Sequence, residues 1–404
     1  MISFIPANDY CDNIFDGTHE TPKPTCDGHP LITSKNILNG RLNLNDVYNI
    51  SEFDYKNIQK RSAVKQWDIL FSMIGSVGEI YLEKSSNIPY AIKNIGVFSC
   101  NQDEKAKWLY YYFKSPIAKQ LIQNQKNGAV QKFLSLGALR KFPVIPYRHE
   151  YKGLLQILSA LDAKIELNNQ INTELEKMAK TLYDYWFVQF DFPDAIGKPY
   201  KSSGGKMIWN EELKREIPEG WEVLKMNKLL IKNIVKFNFN SNKSIDTIDL
   251  SVMPSSTMCL NQKNSSDFFT TNLFILNKFD ILFGAIRPYL LKAGFSPFDG
   301  LVTGTVHSFK TKNENFYNFA LLTMISNSMF DFAISNCKGT KMPVIGADDL
   351  LSYKVAFNEK VAIKFNNFLE FKHLIINNIE QNQTLAELRD WLLPMLMNGQ
   401  VKVE

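Results

Sequence analysis

The chain has 404 residues, of which 45% are hydrophobic and 22% charged, and its formal net charge is +5. This composition excludes a mainly disordered protein and leaves room for two or three domains. No apolar stretch approaches the roughly 18 residues that span a bilayer, and the first residues, MISFIPANDYCD, lack the basic start and apolar run of a secretory signal. Five scattered cysteines are typical of reduced thiols. We therefore expect a cytoplasmic protein without a membrane partner.

The first region, residues 1–150, has the pattern of a globular domain. It mixes strand-like runs such as IGSVGEIYL and NIGVFSC with a helix-like run from Lys105 to Asn124. Glycine and proline interrupt it throughout, which indicates many turns. We predict a domain that mixes helices and strands.

A long helix is predicted next, over residues 151–190. Apolar and asparagine residues recur at alternating steps of four and three from Leu154 to Leu182, which is the heptad pattern of a coiled coil. Residues 191–216 follow as a polar linker, marked by prolines and by the run SSGG.

The same order returns in the second half: residues 217–358 form a second globular region, and residues 359–404 form a second long helix with a C-terminal tail. The heptad pattern reappears at a shift of 210 residues, from Asn168 to Asn378, and we expect the helix to break at Pro394. The predicted seam between the two helices consists of Leu158, Leu161, Ile165, Asn168, Asn172, Leu175, Leu182, Phe368, Phe371, Ile375, Asn378, Asn382, Leu385 and Leu392.

The duplication extends beyond the helices. WDILF at residues 67–71 returns as FDILF at residues 279–283, a shift of 212, and Gly128 aligns with Gly339 at a shift of 211. Similarity is faint between these points. The pattern indicates two globular regions that share a fold but present different surfaces.

Two asparagine pairs predict how the helices meet. If the helices pair antiparallel, Asn168 faces Asn382 and Asn172 faces Asn378, because the residue numbers of both pairs add to 550. A polar residue in a coiled-coil seam costs stability but specifies register and orientation. An alternative places these asparagines on a frayed, exposed edge.

The same numbering rule sets Leu161 against Arg389, which is a poor match. We expect the seam to drift near the helix ends, with Leu388 turned inward in place of Arg389.

These helical segments resemble a known family. The stretch from Leu161 to Trp221, which begins LDAKIELNNQINTELEKMAKTLYDYWFVQFD, closely resembles the central conserved region of specificity subunits of type I restriction-modification systems. LAELRDWLLPMLMNGQVKV is similar to their C-terminal region, and CDNIFDGTHETPK with WDILFSMIGSVGEI resembles the opening of a target recognition domain. The chain departs from the family pattern in the helix entry IPYRHEYKGLL, and at Trp67 and Phe279, where many relatives have glycine.

The resemblance implies an α+β fold, in which two globular, mixed α/β target recognition domains are joined by two long antiparallel coiled-coil helices with pseudo-twofold symmetry. It implies a non-catalytic subunit whose two domains each recognise one half of a split target in double-stranded DNA. Two methyltransferase subunits and two restriction-translocase subunits are the expected partners. S-adenosylmethionine, ATP and Mg²⁺ are expected on those partners, with no cofactor bound by this chain.

The helix length suggests a function for the pair in this setting. About 33 residues at 1.5 Å each make a rod of roughly 50 Å, which suits two DNA-reading domains set about one helical turn of DNA apart. We hypothesise that the rod length sets the number of unread base pairs between the half-sites.

Basic and polar side chains near the duplicated elements are the candidate DNA contacts. Lysine and arginine neutralise phosphates, while arginine and glutamine recognise base edges with two hydrogen bonds. The candidates are Thr18, His19, Arg61, Lys126, Gln131, Lys132, Arg140 and Lys141 in the first region, and Arg287, Lys338, Lys341 and Lys354 in the second. Each of them could equally be a solvated surface charge.

Two alternatives to the family function depend on other residues. Asp194, Glu212 and Lys214 fit the loose PD…(D/E)xK pattern of an autonomous Mg²⁺ nuclease, but no strand of the predicted linker would hold them in register. The second alternative is a coiled-coil interaction protein that does not bind DNA. The chain has no Pro-Pro dipeptide for an adenine methyltransferase loop and no GxxxxGK[ST] motif, so Gly75 and Gly78 are interpreted as turn residues.

A metal site is not favoured by the sequence. Four residues are close enough along the chain to suggest zinc, namely Cys11, His19, Cys26 and His29. Their spacing fits no tight pair of zinc ligands, so an ordinary loop is the preferred interpretation.

Overall fold

The computed structural model describes residues 3–38, 40–44, 47–125, 133–237, 244–269 and 272–397. The chain divides into two compact units: the first consists of residues 1–163 and 384–404, and the second of residues 164–383. Both borders fall inside the two long helices, so each unit holds a part of each helix. The domain boundaries drawn from the sequence placed the helices outside the globular regions, and those boundaries stay predictions.

The first unit combines short strands with helices. Its strands are β1 (Ile5–Pro6), β2 (Asn13–Asp16), β3 (His29–Thr33), β4 (Ile37–Leu38), β5 (Arg41–Leu42), β6 (Asn49–Ile50), β7 (Ile69–Ser72), β8 (Ile80–Leu82), β9 (Ala91–Lys93), β10 (Ile95–Ser99) and β11 (Pro143–Val144). Its helices are α1 (Ala7–Tyr10), α2 (Glu52–Ser62), α3 (Asp103–Lys114), α4 (Pro116–Gln125), α5 (Leu136–Arg140) and the beginning of α6 (Lys152–Tyr183).

The core of the first unit lies between an antiparallel sheet and α3. The sheet has the strand order β2-β10-β7-β8, and a smaller sheet, β6-β3-β9, contains the parallel pair β3 and β9. Residues Trp108 to Phe113 of α3 are all buried, so this part of the helix is enclosed on every side. The predicted helix over residues 105–124 is two helices, because Ser115 caps α4 through the Ala118 N–H and Pro116 begins it.

The second unit contains the rest of the elements. Its strands are β12 (Met207–Asn210), β13 (Arg215–Pro218), β14 (Glu222–Lys225), β15 (Leu230–Lys232), β16 (Asp246–Ile248), β17 (Asn264–Ser265), β18 (Leu273–Leu276), β19 (Ile281–Gly284), β20 (Ala293–Phe295), β21 (Gly300–Thr303), β22 (Val306–Thr311) and β23 (Lys354–Phe357). Beside parts of α6 and of α11 (Phe371–Met397), its helices are α7 (Tyr317–Met324), α8 (Asn327–Asn336), α9 (Ala347–Leu351) and α10 (Glu359–Phe368). The predicted linker is partly ordered, since β12 and β13 form a hairpin.

The second unit repeats the topology of the first. Its main antiparallel sheet has the order β15-β22-β19-β20, and a second sheet contains the parallel pair β16 and β21. The α7–α8 pair corresponds to α3–α4, and Ser326 caps α8 as Ser115 caps α4. The predicted fold class, two mixed α/β regions of common fold with long helices, is confirmed.

The residues before the duplicated strands share an unusual backbone. Trp67 has φ 71° and Phe279 has φ 72°, in the left-handed region that glycine tolerates best. Here each aromatic ring lies beneath an ammonium group, that of Lys107 at 4.7 Å from the Trp67 ring centre and that of Lys372 at 4.9 Å from the Phe279 ring centre, and cation–π attraction offsets part of the strain.

Asp68 and Asp280, which follow Trp67 and Phe279, close the same turn in the two units. The Asp68 carboxylate accepts a hydrogen bond from the Lys65 N–H at 2.8 Å, and the Asp280 carboxylate accepts one from the Asn277 N–H at 3.0 Å. Burial raises the pKa of both aspartates. The aspartate in WDILF and FDILF is therefore a structural residue of the turn.

The second long helix differs from its prediction at both ends. It is interrupted after Phe368, which ends α10 with 67% of its surface exposed. The reason is Leu369, whose backbone leaves the helical region and whose carbonyl accepts a hydrogen bond from the buried Asn318 side chain at 2.5 Å. The Phe368 ring stacks on that of Trp186, just after α6, with 6.3 Å between the ring centres. Pro394 does not end α11, which continues to Met397.

Candidate nucleic-acid interface

The second unit brings three of its four predicted DNA contacts onto adjoining loops. Arg287 lies in the turn between β19 and β20, and Lys338 and Lys341 lie in a hairpin of residues 338–344. The Arg287 N–H donates to the Pro343 carbonyl at 2.8 Å. All three basic side chains are exposed. We call the turn of residues 287–291 together with this hairpin the basic loop surface.

The hairpin is closed and anchored by backbone hydrogen bonds. Lys338 and Val344 exchange N–H···O bonds of 2.8 and 2.9 Å, and the Ile345 N–H donates to the Ala285 carbonyl at 2.9 Å. Gly339 follows Lys338 with φ 93°, a conformation that favours glycine. These contacts hold the hairpin against the end of β19.

Apolar and aromatic side chains lie among these charges. Tyr289 is 53% exposed and Met342 is 54% exposed, on the turn and the hairpin respectively. Basic groups suit phosphates, and a ring or thioether suits the faces and methyl groups of bases. The basic loop surface therefore has the chemistry of a nucleic-acid contact.

The fourth candidate of the second unit has a different environment. Lys354 lies in β23, and its ammonium forms an ion pair of 2.8 Å with Glu212 of the predicted linker. The structure does not group Lys354 with the other three residues and gives its charge a partner within the chain.

In the first unit, the candidate DNA contacts Lys126, Gln131 and Lys132 lie outside the described residues, as does Gly128. Just after these residues, the Leu134 N–H donates to the Met73 carbonyl at 2.9 Å. This backbone hydrogen bond corresponds to the one from Ile345 to Ala285 in the second unit.

Two other candidates of the first unit contact Asp16, and a third, Thr18, lies two residues further along the chain. The Arg61 guanidinium and the His19 Nε2 each lie 3.0 Å from one oxygen of the Asp16 carboxylate. The Asp16 side chain is 7% exposed, while those of His19 and Arg61 are 63% and 68% exposed. Thr18 forms a parallel β-bridge with Lys93 next to this cluster. A buried carboxylate thus orients two exposed, basic side chains, an arrangement that sequence spacing did not indicate.

Arg140 has a structural contact in this fold. Its guanidinium donates to the Ile14 carbonyl through Nε at 3.3 Å and Nη2 at 3.1 Å, so it ties the end of α5 to β2. Lys141 follows it, exposed, and its N–H caps α5.

In the second unit, α6 and α11 meet through the predicted asparagines. The Asn168 Nδ2 donates to the Asn382 Oδ1 at 3.0 Å, and the Asn378 Nδ2 donates to the Asn172 Oδ1 at 2.8 Å. Asn168 is fully buried and Asn172 is 2% exposed. The helices are antiparallel here, with the register that the sequence predicts.

The other seam candidates divide by burial. Leu158 is buried in the first unit, and Phe371 and Ile375 are buried in the second. Partly buried residues are Leu161, Ile165, Leu175, Leu182, Asn378, Asn382, Leu385 and Leu392.

In the first unit, a partly buried ion network replaces the drift expected near Leu161. Arg389 points inward, and its guanidinium lies 2.7 Å from the Asp162 carboxylate, which also lies 3.4 Å from the Lys114 ammonium. Leu388, expected to turn inward, is 42% exposed. The expectation considered only the residue opposite Arg389 and overlooked its acidic neighbour.

The network shifts the pKa of its members. Burial opposes the charge of Asp162, but Lys114 and Arg389 outweigh it and hold the pKa of Asp162 below its ordinary value. Burial lowers the pKa of Lys114 to about 8, against the attraction of Asp162.

A second buried carboxylate of α6, Glu176, was also missed. Its oxygens accept from the Thr257 hydroxyl at 2.6 Å and from the Met258 N–H at 3.2 Å, and burial raises its pKa. The neighbouring Ser256 N–H donates to the Leu291 carbonyl at 2.9 Å, so this segment connects α6 with the basic loop surface. No local pattern indicates a contact across 81 residues.

The alternative catalytic residues do not form a site. The Asp194 carboxylate accepts the N–H groups of Ile196 and Lys198, while Glu212 pairs with Lys354 and Lys214 with Glu211. The nuclease hypothesis is not supported.

The candidate zinc residues are likewise separate: His29 pairs with Glu52, and the Cys11 sulfur lies 3.6 Å from that of Cys100. Throughout the described ranges no group of three or more His, Cys, Asp or Glu residues could hold a metal ion. In those same ranges, every helix is too short or too polar to cross a membrane.

Comparison with known proteins places these features in a family context. Residues 18–177 match the family model of the type I restriction modification DNA specificity domain. The type I restriction enzyme MjaIX specificity subunit of Methanocaldococcus jannaschii is 25% identical over 321 residues, which cover 74% of this chain and 70% of that protein. The HindI specificity subunit of Haemophilus influenzae is 26% identical over 169 residues, 40% of this chain and 36% of that protein.

A solved structure shares the fold. The type I restriction-modification S subunit from M. genitalium aligns with 98% of this chain and 95% of its own, with a TM-score of 0.54 and 13% sequence identity. The likeness is one of architecture.

Proposed function

Because this chain belongs to the family of specificity subunits of type I restriction-modification systems, we propose that it recognises a bipartite sequence in double-stranded DNA for a modification and restriction complex. Each unit reads one half of the target. The chain supplies sequence recognition and a scaffold, and it carries no catalytic step itself.

The observation that carries this proposal is the repeated topology. The DNA specificity domain model matches residues 18–177, which include most of the first unit, and the second unit has the same strand order in its main sheet. One DNA-reading fold present twice suits a target in two parts. Exposed basic side chains in both units, Arg61 in the first and Arg287 in the second, support DNA as the ligand.

Partner subunits supply the chemistry in this proposal. Two methyltransferase subunits bring S-adenosylmethionine, and two restriction-translocase subunits bring ATP and Mg²⁺, all in the cytoplasm. In the second unit, α6 exposes Leu167, Ile171 and Met178 to 49%, 39% and 57%. Spaced four and seven residues apart, they lie on one helix face, which supports docking of a methyltransferase helix there.

The test is to map methylated adenines in the host genome with and without this chain. We expect one bipartite motif whose methylation disappears on deletion and returns when the full chain is restored. An unchanged methylation pattern would contradict the proposal. A coiled-coil protein without DNA binding would also leave purified chain with no salt-dependent affinity for any duplex.

A further inference from the structure

The two units differ at one turn of their shared fold. The shift of 212 residues that aligns Trp67 with Phe279 also aligns Gly75 with Arg287. Gly75 has φ 76° and Gly78, which ends the turn of the first unit, has φ 99°. In the second unit the turn holds Arg287 at φ 52° and ends with Leu291 at φ 53°. Two glycines are thus replaced by residues with side chains, in the same left-handed backbone.

Packing accounts for one of these strained residues. A left-handed backbone brings Cβ close to the following carbonyl and disfavours every residue except glycine. Leu291 packs against the main core of the second unit, and its carbonyl accepts the Ser256 N–H. Burial of its side chain therefore offsets the strain.

Arg287 has no such compensation. Its side chain is exposed, and among the described residues its guanidinium makes no hydrogen bond or ion pair. Strained residues that packing does not explain occur most often at functional sites. The strain at Arg287 therefore calls for a function of the guanidinium outside the chain.

The surrounding turn is rigid. The Arg287 N–H is bonded to Pro343, the Arg287 carbonyl accepts the Leu290 N–H at 2.9 Å, and the next residue, Pro288, is buried. A guanidinium on a fixed backbone loses less freedom on binding than one on a mobile loop. The hairpin beside it adds the exposed Lys338 and Lys341.

We propose that Arg287 is the base-reading residue of the second unit, which recognises a guanine in the major groove, while Lys338 and Lys341 hold the neighbouring phosphates. Arginine matches the O6 and N7 acceptors of guanine with two parallel hydrogen bonds, and lysine binds phosphate without sequence preference. This inference rests on the proposed function and assigns its specificity to one side chain.

The experiment uses Arg287→Gly in the full chain, expressed in its host with the system's own subunits. Glycine removes the guanidinium and the backbone strain together, so we expect an unchanged or higher melting temperature. Methylome mapping should show one G·C position of one half-site relaxed, with discrimination there reduced about tenfold to a hundredfold. The other half-site should stay as in the wild type. Lys360→Ala, an exposed charge on α10, is the control and should change neither quantity.

The lysines give a second, different readout. Lys338→Ala and Lys341→Ala should lower methylation at all sites and leave the motif intact, because phosphate contacts carry no sequence information. An Arg287→Gly chain that methylates the wild-type motif at the wild-type level overturns the inference, whatever its stability. A wild-type chain that supports no bipartite motif overturns the proposed function itself, so the two failures are distinguishable.

Discussion

The contacts that join α6 and α11 differ in chemistry between the two units. In the first unit, Asp162 of α6 meets the cations of Arg389 and Lys114. In the second unit, two layers of asparagine amides join the helices, and Glu176 of α6 accepts hydrogen bonds from neutral donors only. Loss of one partner of a buried ion pair leaves the other charge uncompensated, whereas amides in a helix seam mainly specify register and orientation.

The pKa shifts of the two carboxylates also differ. The cations lower the pKa of Asp162, while burial raises that of Glu176. These two carboxylates of one helix therefore contribute to the pH dependence of stability with opposite signs.

The largest effect is expected at the ion network. Asp162→Ala leaves Arg389 and Lys114 without their shared anion, and we expect a loss of about 3 kcal/mol in unfolding free energy. Urea denaturation gives the total, and hydrogen exchange of α3 peptides assigns the loss to the first unit. Asp246→Ala, which breaks a half-exposed ion pair with Lys263, is the control and should cost less than about 1 kcal/mol. Equal losses in the two variants would remove the distinction drawn between the units.

An intermediate effect is expected at the asparagine layers. Asn172→Ala takes the acceptor away from the Asn378 amide and should cost about 1 to 3 kcal/mol. The double variant with Asn378→Ala should cost less than the two single changes together, since the amides act as a pair. A double-mutant cycle in urea measures this coupling, and strict additivity would show that the layer is not a unit.

The smallest effect concerns the pH dependence of Glu176. Because its pKa is raised, the folded chain keeps this proton to higher pH than the unfolded chain, and the stabilisation is full in acid and lost as the pH rises through the raised value. Glu176→Gln keeps an acceptor without the buried charge, so we expect a gain of less than about 1 kcal/mol at pH 7 and a weaker decline of stability from acid to neutral pH.

Thermal melts between pH 4 and 7 measure this dependence. Glu174→Gln changes an exposed carboxylate of the same helix and should leave the slope as in the wild type. Asp162→Asn should act in the opposite sense, because a lowered pKa adds stability that is lost as the pH falls. A Glu176→Gln slope equal to that of the wild type would show that the pKa of this carboxylate is the same in the folded and the unfolded chain.

Local periodicity in the sequence predicted much of the fold. The heptad spacing of α6 and α11 predicted their antiparallel register, since the position of Asn168 in the seam depends only on the helical repeat. The duplicated WDILF and FDILF runs likewise predicted one fold in two copies.

Other features left no such signal. The left-handed backbone at Trp67 and Phe279 conflicts with the ordinary preference of aromatic residues, so only the folded turn reveals it. The guanidinium of Arg140, which stays a predicted DNA contact, bonds the Ile14 carbonyl, 126 residues away along the chain. A basic residue looks the same in a sequence whether its charge meets a phosphate or a backbone carbonyl.

The sequence by itself determined that this protein has two globular regions of common fold, and that α6 and α11 pair through asparagines. Periodicity and repetition are properties of the chain alone. Only the tertiary structure decided that Arg389 turns inward to Asp162, that the second long helix is interrupted after Phe368, and that Arg287 adjoins Lys338 and Lys341. These outcomes depend on groups from distant segments, whose meeting is set by the packing of the whole unit and not by the spacing of neighbours.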